Sequence, residues 1–511
     1  MTNRITISNR AGTLLNRSNA SPLFILGASL LLSLLYCPPV DIYFDDKEIF
    51  GYIGRLISKG GVPYRDVFDH KPPLIYFFNY FGPWGLWLID AFLTGLASLL
   101  FFRLCQKYRL AWPWLLPLLF NLLVRNYLVC ISIGMTREYT ATFALIFFCI
   151  LLNGSKYRYF WLGLLTAATF FMQQDQIVLL FPFWLYALLI DILPGRPGSE
   201  PHVPSTSAAP ASGAPGQSPV RQILLALAGA IALSAPIILY FSLNHSLSWF
   251  WQCAFQFNFL WYDEKIPFFV HFRATKAALE YSAIMVTFLL AVAAGFCALA
   301  LRSDNRRLIA IALVAVFLSF TSEYLSGRLR FGYAFYYYLL PLASTLPILV
   351  FAVWATTREE FLLGKKSQGF YGLLLCCLPF YTAFQHGTHL STHNKDLEKS
   401  MPEYIWLRQQ QLKDYELFSF GNNDWLYVYN QLNILAPSRW VYQHIWESYP
   451  RWDADHREME SIMNDLLRHH TKYIINDLRL FRWRDPSART LWLTFLQKNY
   501  QPLTPLLWQL K

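Results

Sequence analysis

Charge is scarce in this 511-residue chain. Asp, Glu, Lys and Arg make up 15% of it, where a soluble globular chain carries about 25%. With 55% hydrophobic and 18% aromatic residues, that scarcity excludes an ordinary soluble domain and leaves a membrane protein. Cysteine runs out early. The last of eight is Cys377 and none has metal-ligand spacing, so the residues beyond it fold without disulfides or a zinc module. The first apolar run, Pro22 to Val40, lacks an A-x-A cleavage site, and Leu35-Tyr36-Cys37 lacks the small residues that precede a lipoprotein cysteine. It reads as a retained anchor. No internal repeat is visible. The net charge of +11 is not a nucleic-acid signature, because the stretch from His386 onward holds 15 basic and 14 acidic residues. The excess lies in the membrane half, where short loops carry Lys and Arg for topology and anionic lipid. No basic stripe interleaved with stacking aromatics accompanies it, which argues against nucleic acid as a partner.

Long apolar runs fill the first three quarters. Runs able to cross a bilayer, about 20 residues each, lie near 22–40, 83–104, 111–129, 136–152, 159–172, 177–193, 222–243, 278–301, 307–325, 335–355 and 368–385. The pattern predicts a polytopic α-helical membrane protein with about 11 transmembrane helices. Arg4, Arg10 and Arg17 precede the first span, and even-numbered spans exit onto Lys or Arg, among them Arg103, Lys107, Lys156, Arg302 and Lys365. By the positive-inside rule residues 1–21 form a cytoplasmic tail, and an odd number of spans puts 386–511 outside. Residues 194–220, rich in Pro, Ala, Ser and Gly, have nothing to bury and read as a disordered cytoplasmic linker within the 22–385 membrane domain. In the C-terminal tail, strand-like runs at Tyr415–Phe420, Ser438–Tyr442 and Lys472–Asn476 accompany a helical run, His456–His470. A small α/β extracytoplasmic domain is expected there.

The outer loops carry charge that topology does not require. The densest, Asp41 to Pro73, opens on Asp45-Asp46. Ile49, Phe50, Ile53, Leu56 and Ile57 then recur at helical spacing until Gly60-Gly61. This spacing predicts an amphipathic helix lying on the membrane surface. Asp45 with Glu48 fits a capping box, yet two adjacent carboxylates at the water–lipid boundary exceed what a cap needs. Next comes VPYRDVFDHKPPL, residues 62–74. Pro72-Pro73 suits the first turn of a helix, whose free amides attract anions. Lys71, with Arg65 and His70 near it, is placed to hold a phosphate. A lone lysine here would be an ordinary snorkelling residue; the company of Asp45, Asp46, Asp66, Asp69 and His70 favours a site.

This loop resembles the first outer loop of polyprenyl-phosphate-dependent membrane glycosyltransferases. These include the bacterial relatives of protein O-mannosyltransferases (glycosyltransferase family 39) and the lipid A aminoarabinose transferases. The matching marks are Asp45-Asp46, Gly60-Gly61, Pro63-Tyr64-Arg65-Asp66 and His70-Lys71-Pro72-Pro73-Leu74, with Asp46 standing where Glu is usual. The resemblance implies a GT-C fold and a bacterial inner-membrane location. It also implies that Asp45 is the base that deprotonates an acceptor hydroxyl, with Asp46 in support. The donor would be a sugar on a polyprenyl-phosphate carrier, and the acceptor a glycolipid, glycan or protein hydroxyl in the periplasm. The chemistry suits the residues independently: displacing a carrier phosphate from a sugar needs a base for the incoming hydroxyl and cations for the departing phosphate. One carboxylate per displacement implies inversion.

Other outer ends supply further candidates. Arg137-Glu138 opens the fourth span and resembles the family's second acidic site, where Glu138 would position acceptor or a cation; an ordinary acidic helix start reads equally well. Arg328 and Arg330, before the aromatic run Tyr333–Tyr338, resemble the family's phosphate-gripping outer arginine. The Gln173–Gln176 turn lacks the lysine that relatives often carry. Asp90, costly inside the second span, is a candidate by default with no partner legible in the sequence. His386, His389 and His393 would share a helix face and are the weak metal candidates. No cofactor is firmly implied, although a divalent cation would suit the acids. The alternatives are an oligosaccharide ligase or polymerase using a pyrophosphate-linked donor, and a lipid-linked sugar flippase or transporter. A transporter should show related halves and helices broken at the midplane, and neither is apparent.

Overall fold

A computed structural model describes residues 22–39, 45–110, 112–125, 134–189, 218–260, 283–300, 306–325, 340–356, 401–421, 425–441, 457–478 and 486–511. The first part of the chain forms α1 (Pro22–Leu34), α2 (Asp45–Ser58), α3 (Leu74–Asn79), α4 (Gly82–Lys107), α5 (Leu115–Val124) and α6 (Thr136–Asn153). It continues through α7 (Arg158–Met172), α8 (Phe181–Ala187), α9 (Pro219–Leu243), α10 (Leu247–Trp251), α11 (Ala283–Ala300), α12 (Arg306–Leu325) and α13 (Leu342–Thr356). Helices fall on each expected span up to 335–355; the run 368–385 and the cytoplasmic tail 1–21 lie outside the described residues. So does the expected linker 194–220, except at its end, where α9 begins at Pro219. Among the described residues α4 and α9 are long and apolar enough to cross a membrane by length and composition. At 26 residues α4 is about 39 Å long, against a hydrocarbon core of about 30 Å.

Small and polar residues set the helix packing. A Cβ on Gly163 of α7 would lie 1.9 Å from the Ala226 carbonyl oxygen, and one on Gly229 of α9 would lie 1.8 Å from that of Phe160. The two backbones therefore cross in contact, as small residues permit where no hydrophobic effect drives association. On α1 the buried Ile25, Ser29 and Ser33 follow one another at four-residue spacing. Ser29 donates to Asn121 of α5 at 2.9 Å, and Asn121 donates to Ser98 of α4 at 2.6 Å. Helix α6 is buried along nearly its whole length and forms the centre of the bundle.

The tail adds α14 (Pro402–Gln409), β1 (Leu417–Phe420), α15 (Leu426–Leu432), α16 (Arg457–Arg468), β2 (Tyr473–Asn476), α17 (Pro486–Asn499), β3 (Tyr500–Pro502) and β4 (Leu507–Leu510). The sheet order is β1-β2-β4-β3, with β1 parallel to β2 and the other pairs antiparallel. Trp492 of α17 stacks on Phe420 at 4.3 Å and closes one face of the sheet. Two expected strands are present, but Ser438–Val441 is irregular. Its backbone bonds elsewhere: the Arg439 carbonyl accepts from the Phe68 amide at 2.9 Å.

Helix α2 also departs from expectation. Its apolar side (Ile49, Phe50, Ile53 and Leu56) is covered by protein rather than left for lipid. Gly54 brings it against the α3 backbone, where a Cβ would lie 2.4 Å from Asn79. Tyr52 meets Tyr429 of α15 edge-on at 5.7 Å, and its hydroxyl accepts the Ala436 amide N–H at 2.9 Å. The tail thus sits directly on the first outer loop.

Candidate functional site

The first loop folds back on itself through short local bonds. The Asp66 carboxylate closes a turn by accepting the Val62 amide at 2.8 Å, and it takes both Nε and Nη2 of Arg65 at 2.7 Å. Arg65 is thereby neutralised by its neighbour. Asp69 is buried, accepting the His70 amide at 2.6 Å and the Tyr76 phenol at 2.8 Å. The His70 ring lies 3.3 Å from the same carboxylate. Burial pushes the Asp69 pKa up to about 6; Lys71, the Tyr76 phenol and the His70 amide oppose that rise, and the Asp46 charge adds to it. Asp46 is partly exposed at the head of α2. The structure therefore brings Asp46, Asp69, His70 and Lys71 into one electrostatic neighbourhood. Asp45 is the first residue of α2, and its side chain lies outside the described residues.

Lys71 is held by its backbone. Its carbonyl accepts the phenols of Tyr64 at 2.6 Å and Tyr76 at 3.1 Å. Helix α3, which follows Pro73, is only six residues long. Its dipole is small, so the attraction for an anion expected from that helix start falls instead to the Lys71 ammonium. The next outer segment covers the loop. Asn258 donates to the His70 carbonyl at 2.7 Å, and Phe257 meets Phe68 at 5.4 Å.

The second acidic candidate lies deeper. Arg125, at the end of α5, pairs with both Asp90 of α4 and Glu138 of α6, and all three are fully buried. Glu138 also accepts the Gly134 amide at 3.0 Å. The partner of Asp90 that the sequence left unnamed is thus Arg125. Glu138 faces a guanidinium inside the bundle rather than the loop cluster, and Arg137 beside it is 1% exposed. Arg125 had one signal, an arginine inside the apolar run 111–129, where a charge is costly. Arg328, Arg330, His386, His389 and His393 lie outside the described residues, among which no cluster suited to a metal occurs.

A cavity of about 590 Å³, lined by both polar and apolar residues, opens beside α2. Glu48 and Arg55 line it from α2, Asn79 and Tyr80 from the bend before α4, and Asn430 and Gln431 from the tail. Position 45 stands one helical turn before Glu48. A second, apolar cleft of about 500 Å³ between α7, α8 and α9 is lined by Tyr159 and Gln222 near the starts of their helices, the ends away from the outer loops.

No protein-family model matches the chain, and no curated protein matches it in sequence. A solved structure does match in shape. ArnT from Cupriavidus metallidurans, solved bound to undecaprenyl phosphate, aligns over 95% of this chain and 97% of its own, with TM-score 0.56 and 9% sequence identity. This chain has the fold of ArnT. The likeness to ArnT runs through both the helical bundle and the tail, in keeping with the GT-C architecture that the first outer loop implied. At 9% identity the backbone path is what is shared with ArnT, and the roles of side chains rest on their own contacts.

Proposed function

We propose that the protein is an inverting glycosyltransferase of the bacterial inner membrane that moves a sugar from a polyprenyl-phosphate carrier to an acceptor hydroxyl on the periplasmic side. The observation that carries this reading is the buried Asp69 carboxylate in contact with the His70 ring, immediately before Lys71 on the first loop. The shared fold with ArnT, itself solved with undecaprenyl phosphate, supports a lipid-phosphate donor. In this reading the N-terminus is cytoplasmic, and the outer loops and tail face the periplasm.

Asp45 takes the proton of the acceptor hydroxyl as its oxygen attacks the anomeric carbon. The bond from that carbon to the carrier phosphate breaks, and the electron pair leaves on the phosphate oxygen. Lys71 and His70, with Arg328 and Arg330 from the later outer segment, offset the charge gained by the departing phosphate. Asp46 supports the base. Arg65 is paired with Asp66 and braces the loop, and the Arg125–Glu138 pair fixes the helix ends beneath it. The acceptor reaches position 45 along the cavity beside α2, where the side-chain amides of Asn79, Asn430 and Gln431 and the Tyr80 phenol suit hydroxyl groups. A divalent cation would add to phosphate binding if the acids hold one.

The test is purified protein with a radiolabelled polyprenyl-phosphate sugar and a membrane extract as acceptor source. Acceptor-dependent release of carrier that disappears in Asp45→Asn supports the reading, and full turnover in that variant removes Asp45 as base. A flippase would move the labelled lipid across a vesicle without cleaving it.

A further inference from the structure

We infer that Arg439, in the C-terminal tail, is a positioning residue for the donor-phosphate loop, acting on Lys71 through Tyr64. The inference rests on the reading of Lys71 given above.

One residue of the tail holds this loop at two points. The Arg439 guanidinium donates to the Tyr64 carbonyl at 2.7 Å, and its backbone carbonyl accepts the Phe68 amide at 2.9 Å. The guanidinium itself packs on two indole rings, 4.3 Å from the centre of Trp249 and 5.1 Å from that of Trp440. Phe68 stacks on Trp440 at 4.9 Å, which closes the contact from the loop side. Three separate stretches of chain therefore meet at one side chain: the first outer loop, the segment after α9, and the tail.

Tyr64 needs such a hold. Its φ is +68°, a left-handed backbone that a large side chain adopts only when its surroundings enforce it. In that conformation its ring is fully buried against Tyr76, Phe241 and Phe250, and its phenol reaches the Lys71 carbonyl at 2.6 Å. Removing the guanidinium takes away the bond that pins the Tyr64 carbonyl. The backbone can then relax towards negative φ, which swings the phenol off Lys71. A cation that packs on two indole rings while its Nη2 donates to a carbonyl is a task for arginine; lysine offers a point charge with no plane to stack.

The test compares full-length wild-type protein with Arg439→Ala and Tyr64→Phe in lipid nanodiscs, using amide hydrogen exchange and the radiolabelled polyprenyl-phosphate sugar. In Arg439→Ala, exchange should rise about tenfold in 62–71 and stay near wild type in β1, β2 and β4, as local opening requires. The KM for the donor should rise about tenfold with a smaller change in kcat, and millimolar guanidinium should restore part of the loss. Tyr64→Phe, which keeps the Arg439 contact, should raise the donor KM in the same direction. Unchanged exchange in 62–71, or exchange raised equally across the tail sheet, overturns the inference. If wild-type protein transfers no sugar, the functional reading fails, and the exchange pattern still decides whether Arg439 holds the loop.

Discussion

The Tyr76 phenol donates to the buried Asp69 carboxylate at 2.8 Å and, at 3.1 Å, to the Lys71 carbonyl. One hydroxyl thus ties a buried acid to the backbone of the neighbouring cation. Burial raises the pKa of this acid to about 6, above the usual carboxylate range, which has a measurable consequence.

Asp69 keeps its proton up to about pH 6 in the folded protein, whereas an unfolded aspartate loses it near pH 4 (about 3.9). Between those values the folded state holds the extra proton. Stability therefore falls as pH rises through the window, by about 2–3 kcal/mol in all, and the loss is complete above about pH 6. Thermal unfolding of wild type and Asp69→Asn between pH 4 and 7.5 should show the wild type declining relative to the variant. Parallel curves would refute it.

Removing the base should abolish transfer without loosening the donor. Asp45→Asn should cut kcat about a thousandfold, within the range typical of general-base removal, and leave the donor KM near wild type. Asp46→Asn should lose less. Carrier release from radiolabelled donor measures both.

Lys71→Gln removes the cation and keeps a long polar side chain. Its loss should cost about a hundredfold in kcat/KM for the donor, the scale of one lost charge-stabilising group. Lys71→Arg should recover part of this, because the phenols of Tyr64 and Tyr76 bind the backbone carbonyl and do not select the side chain.

Arg125 is a fully buried charge with two fully buried acidic partners. Arg125→Met leaves Asp90 and Glu138 facing each other without a counter-ion and should destabilise the protein by about 3–5 kcal/mol. The triple variant Arg125→Met, Asp90→Asn, Glu138→Gln should recover most of that. The apparent unfolding temperature in detergent reads both, and a stable single variant would show that the triad carries little.

Much of this was legible beforehand, for identifiable reasons. Apolar run length and the placement of Arg and Lys are one-dimensional properties, and they located helices such as Gly82–Lys107 and Thr136–Asn153 to within a few residues. The loop marks from Asp45 to Leu74 are contiguous, so their order could be read directly. The strand expected at Ser438–Tyr442 is irregular over the described Ser438–Val441, because Arg439 and Trp440 there contact the first loop and the indole of Trp249 rather than a sheet. The hairpin β3–β4 was hidden by Pro502 and Pro505, which lie at its end and turn.

Composition and local pattern by themselves determined that this is a helical membrane chain with a charged loop after its first apolar run and a small mixed tail, because solvent preference and helical period act residue by residue. Only the tertiary structure decided that α2 lies under the tail, that Asp90 and Glu138 share Arg125, and that Arg439 grips Tyr64. Each of those joins residues far apart in the chain, where hydrogen-bond geometry and exclusion of water select partners that no local sequence pattern specifies.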